Sequence, residues 1–138
     1  MAGRSKAREQ ILQCLYLMEQ SKLNSEDALS FFTKNFEIHE EEMPFIRSRL
    51  DGIAIEMAKI DEKIAKYSEH WKMNRMPKVD RNILRLGAYE LEYCVDVPVS
   101  VVINEAIELG KKFGDINTAK FVNGILDKIA KEIGRTAA

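Results

Sequence analysis

Residues 120–131 read KFVNGILDKIAK, and the meaning of Asn123-Gly124 within them decides the fold. Asn-Gly is the strongest dipeptide signal for a two-residue β-hairpin. The flanks contradict it. Phe121, Val122, Ile125, Leu126, Ile129, Ala130 and Ile133 recur at helical spacing, which predicts one amphipathic helix in place of two strands. Gly124 then stands one turn inside a helix, where glycine costs about 0.8–1 kcal/mol against alanine. The apolar stripe does not need it for packing. It falls on the polar side with Lys120 and Asn123 and leaves bare backbone that another molecule can approach. The competing reading is that Gly124 admits a neighbouring helix of the same domain.

Working outward, the same period covers nearly the whole chain and predicts an all-α fold of about seven helices. The first spans residues 5–20, with Ala7, Ile11, Cys14, Leu15 and Met18 inward. The second spans 25–35, with Ser25 as N-cap. Pro44 suits the first turn of a third, a break is expected near Ile60-Asp61, and Ile64, Tyr67 and Trp71 continue a fourth. Pro77 precedes the fifth, 79–94, and Asp96-Val97-Pro98 ends it. The sixth runs to Phe113, where Lys111 and Lys112 suit the negative end of the dipole and Gly114 a left-handed cap. Asn117 or Thr118 caps the seventh. Linkers are short and no repeat is evident, so 1–138 reads as a single domain.

With 46% hydrophobic and 31% charged residues, the composition is that of an ordinary globular protein. No apolar run approaches the roughly 20 residues of a membrane span, and a cytoplasmic, membrane-free protein is expected. Cys14 and Cys94 read as buried free thiols. With only His39 and His70 besides, no metal spacing arises and neither metal nor cofactor is expected. There is no phosphate-binding glycine loop and no nucleophile motif, so an enzyme reading has no positive support.

Surface chemistry carries the remaining signal. Arg4, Lys6 and Arg8 fall in a stretch, 1–8, that holds no acid, whereas 26–62 carries ten acids and four bases. Arg8, Leu12 and Tyr16 follow one edge of the first helix at four-residue steps. A base beside an aromatic can hold a phosphate and stack a nucleobase. The bland alternative packs Tyr16 against another helix. Lys111, Lys112 and Lys120, with Phe121 and Asn123, repeat the arrangement near the C-terminus.

The residues also resemble a known family. VDRNILRLGAYEL (79–91), PVSVVINEAIELGKKFG (98–114) and KFVNGILDKIAK (120–131) are together highly specific for the NusB family of bacterial transcription antitermination factors. R-x-x-A-R-E-x-x-x-x-x-L-Y from Arg4 to Tyr16 and Trp71 with Asn74-Arg75 add to the likeness, which covers essentially the whole chain. The resemblance implies two packed helical subdomains. It implies binding of the boxA element of ribosomal RNA leader transcripts, pairing with NusE (a small ribosomal subunit protein) and action in an RNA polymerase antitermination complex. It turns Arg4, Lys6, Arg8, Tyr16, Lys120 and Phe121 toward RNA, and the charge and amide of Lys111, Lys112 and Asn123 add those three to the expected RNA-binding set. It gives Asp80, with Arg81 and Arg85, to the protein partner, Asp80 facing outward from the first turn of its helix. GRSKAR at 3–8 is less arginine-rich than in many relatives, which implies modest RNA affinity without the partner. Two other classes stay open on the residues alone. NusB-like domains also occur in rRNA cytosine methyltransferases, which need a Gly-rich cofactor loop not found in these 138 residues. A purely protein-binding helical module is the other.

Overall fold

The computed structural model describes residues 2–69 and 71–135; His70 lies outside them. Six α-helices form, and there is no strand among the described residues. They are α1 (Ala2–Ser21), α2 (Ser25–Asn35), α3 (Met43–Tyr67), α4 (Lys78–Tyr93), α5 (Val99–Phe113) and α6 (Thr118–Glu132). Short 3-10 turns at Glu40–Glu42 and Met73–Arg75 precede α3 and α4. The chain divides into two compact units, one ending at Ile55 and the other beginning at Glu56.

The first unit holds α1, α2 and the start of α3. Asn24, not Ser25, caps α2: its Oδ1 accepts the Asp27 N–H at 2.8 Å. The Ser25 hydroxyl instead donates to Asp51 at 2.9 Å. Ala7, Ile11, Cys14 and Leu15 are buried as their spacing predicts. Burial pushes the Cys14 thiol up to about 12, so it is an inert packing group at neutral pH.

Helix count is the main departure from the sequence reading. The expected third and fourth helices are one, α3, of 25 residues. No break occurs at Ile60-Asp61 because Ile60 and Ile64 keep the inward stripe buried. Arg85 also grips the Asp61 carboxylate with two bonds, Nε at 2.8 Å and Nη2 at 2.9 Å. A carboxylate so held does not compete for its own backbone. The helix stops at Tyr67, and Trp71 lies beyond it, with the Ser68 hydroxyl donating to the Trp71 carbonyl at 2.6 Å.

In the second unit α4, α5 and α6 pack on one another around Ile83, Leu84, Leu91, Val102, Val122, Leu126 and Ile129. Close approach is built in. A Cβ on Gly87 would fall 2.7 Å from Leu126 Cδ1, so α4 meets α6 where α4 has no side chain. Gly114 does not adopt the expected left-handed cap; its backbone is extended (φ −94°, ψ −170°). It is glycine for space: a Cβ there would lie 2.4 Å from Thr118 Oγ1.

Candidate nucleic-acid interface

On α6, Val122, Ile125, Leu126, Ile129 and Ala130 are buried, so the opposite side is fixed by helical geometry. Lys120, Asn123 and Gly124 are exposed there, and Phe121 is half-buried at the margin. Among the described residues, no atom beyond its chain neighbours and its own helix backbone lies within 4 Å of the position a Gly124 Cβ would take. Gly124 therefore admits no neighbouring helix among the described residues; it is open backbone beside a cation, an amide and an aromatic edge. Lys111 and Lys112 are exposed at the end of α5. Lys111 pairs with Glu108 at 3.6 Å, and the Lys112 ammonium lies 5.6 Å from the Phe113 ring centroid.

The corner between α5 and α6 is held from beneath. Thr118 is fully buried; its hydroxyl donates to Asp80 Oδ1 at 2.9 Å and accepts the Asp115 N–H at 3.0 Å. Asp115 Oδ1 accepts the Asn117 N–H at 2.8 Å. On this braced corner Ile116 is 94% exposed. The sequence reading missed it. Its signal was there, an isoleucine in the polar run GDINT with no periodic apolar neighbour.

The three residues assigned to a protein partner take other places. Asp80 is buried and does not face outward; it joins the start of α4 to the start of α6 through Thr118. Burial raises its carboxyl above the ordinary 3.8; the Thr118 hydrogen bond opposes this and the nearby Asp115 charge adds to it. Arg81 is buried, and its guanidinium donates to the Met73 and Met76 carbonyls. Arg85 spends its fork on Asp61 and donates from Nη1 to Asn82 at 3.1 Å. Each brings a polar group into the interior because a partner on another segment satisfies it there. Position in the first turn, which suggested an outward Asp80, says nothing of the neighbouring α6.

In the first unit the predicted edge of α1 is split. Tyr16 is 42% exposed, but Leu12 and Arg8 are buried. Arg4, Arg8 and Arg49 place their guanidinium carbons 4.1, 5.2 and 4.0 Å from the centroid of the Phe45 ring. Arg4 also pairs with Glu42 at 3.2 Å and Lys6 with Glu9 at 3.7 Å. The three guanidinium groups lie over the ring face, and Arg8, buried there, supports the helix from within. Lys6 and Tyr16 remain on the surface, and Arg4 is half-exposed. The five candidates 111, 112, 120, 121 and 123 lie in the second unit and the four from α1 in the first.

Six helices among the described residues, with Lys120, Asn123 and Gly124 exposed beside half-buried Phe121 on the last of them, define an all-helical domain. The family is shown by comparison with known proteins. The model of the NusB family matches residues 5–131, and this chain belongs to that family. The transcription antitermination protein NusB of Anaeromyxobacter dehalogenans is 48% identical over 128 residues, 92% of this chain and 89% of that protein. Among solved structures, T. maritima NusB is 37% identical with a TM-score of 0.86, covering 98% of this chain and 93% of its own. A crystal structure of antitermination factors NusB and NusE in complex with dsRNA matches at 28% identity and a TM-score of 0.84, covering 96% and 98%.

Proposed function

We propose that this protein is a non-catalytic transcription antitermination factor that binds RNA together with NusE. The observation that carries the reading is the open face of α6. Lys120, Asn123 and the bare backbone of Gly124 stand beside half-buried Phe121, with no other helix among the described residues covering the glycine. A cation for phosphate, an amide for a base edge and an aromatic for stacking are what single-stranded RNA requires. Family membership supports an antitermination role, and the structural relative solved with NusE and dsRNA supports RNA binding in company with NusE.

The RNA assigned is boxA of ribosomal RNA leaders, and the setting is the RNA polymerase antitermination complex of the cytoplasm. On the second unit Lys111, Lys112, Lys120, Phe121 and Asn123 are assigned to RNA, and on the first unit, taken by itself, Arg4, Lys6 and Tyr16, with Arg8 shaping α1 behind them. Asp80, Arg81 and Arg85 serve the partner by fixing the helices that present its surface. Among the described residues no helix is long and apolar enough to cross a membrane, which suits this role. The test is a reconstituted transcription reaction on a boxA leader followed by a terminator. Adding this protein and NusE together should raise read-through; no gain over NusE alone would remove the function.

A further inference from the structure

We propose that the turn from Trp71 to Arg75 is a second binding site for single-stranded RNA, apart from the α6 face. The inference rests on the RNA-binding reading above and extends it to residues given no role there. The turn borders a groove of about 820 Å³ lined by Ser68, Glu69, Trp71, Lys72, Asn74 and Arg75, among others. Trp71 is 44% exposed, although tryptophan is highly buried on average. Lys72, Asn74 and Arg75 are exposed beside it. Against the one carboxylate lining the groove, Glu69, stand two cations.

The turn is built to hold these side chains outward. Arg81, buried beneath it, donates to the Met73 and Met76 carbonyls. The Lys72 carbonyl accepts from Arg75 N–H at 2.9 Å and Met76 N–H at 3.1 Å. The Ser68 hydroxyl fixes the Trp71 carbonyl, and buried Met76 anchors the far end. Neighbouring cations are occupied: Lys63 and Lys66 pair with Glu132, and Arg85 with Asp61. A preorganised aromatic platform flanked by two cations and an amide is the equipment for one stacked base, two phosphates and one base edge.

Trp71 is the chain's one tryptophan, so its emission reports this site alone. The experiment titrates the full chain with labelled single-stranded boxA RNA, following both label anisotropy and tryptophan emission. Saturation should quench the emission. Trp71→Ala should weaken RNA binding roughly five- to a hundredfold, the range for one lost stacked base. The double variant Lys72→Ala/Arg75→Ala should flatten the slope of log K against log salt by about 1.4, two phosphates at roughly 0.7 each, with its melting curve unchanged. Unmoved emission at saturation, with affinity and slope unchanged in both variants, would overturn the site. If Phe121→Ala still weakened binding in that case, the wider reading would stand. Emission that responds to NusE but not to RNA would make the turn a protein-docking surface and equally overturn the proposal. A wild-type chain that bound no RNA, alone or with NusE, would remove both readings.

Discussion

Asp80 and Thr118 meet at 2.9 Å in the interior, and what a carboxylate does there differs from what its sequence position suggests. Its folded-state pKa lies above 3.8, so the native protein holds this proton more tightly than the unfolded chain. Ionisation of Asp80 therefore costs stability as pH rises through and beyond that range. Asp80→Asn keeps an acceptor for the Thr118 hydroxyl and removes the charge. Its stability relative to wild type should improve from roughly pH 4 upward, which urea unfolding at a series of pH values would read. A constant difference would contradict the assignment. Asp80→Lys buries an unpaired cation and should cost about 3 kcal/mol or more, so loss of NusE binding in that variant would report unfolding and not a lost contact. Period and capping made the burial of Ile125 and Leu126 legible. The burial of Asp80 and Arg8 was not, because each is admitted by a partner distant in sequence, nor that of Arg81, which is admitted by carbonyls of the irregular turn just before its helix.

At the scale of elements, α3 and α6 are joined by charge as well as packing. Glu132 on α6 accepts from Lys66 and, at 3.0 Å, from the Tyr67 hydroxyl, and pairs with Lys63 at 3.4 Å. The Lys66 hydrogen bond above all, then Tyr67, holds its carboxyl down to about 2, against an ordinary 4.5. This stabilisation is present above pH 4.5 and is lost as pH falls toward 2. Glu132→Gln should remove that part of the acid dependence and leave the opposite trend from Asp80; an acid limb identical to wild type would contradict it. α1 divides in a comparable test. Lys6 is exposed, so Lys6→Ala should leave the melting temperature unchanged and lower the RNA salt slope by about 0.7. Arg8 is buried against Phe45, so Arg8→Ala should lower the melting temperature first. Equal melting temperatures would show that the Phe45 stack contributes nothing. The sequence showed where most helices run because stripes repeat locally. It misjudged α3 because an Ile-Asp step looks like a boundary until Arg85 is seen to take the Asp61 carboxylate.

At the scale of the molecule, helical class and family were legible in three blocks of sequence, and two compact units follow the expected pair of subdomains. The face of α6 was legible too, because the stripe leaves Gly124 on the outside whatever lies around it. Trp71 was not, since continuing a helix through it hid an exposed aromatic in a turn. The central claim is that α6 presents RNA with open backbone. Gly124→Leu tests it most directly, because a Cβ there points into open space among the described residues. The variant should melt at or above the wild-type temperature, gaining up to about 0.8–1 kcal/mol in helix propensity. Its affinity for boxA RNA, measured with NusE present, should fall at least tenfold. Undiminished RNA affinity in a fully folded Gly124→Leu protein would contradict the account.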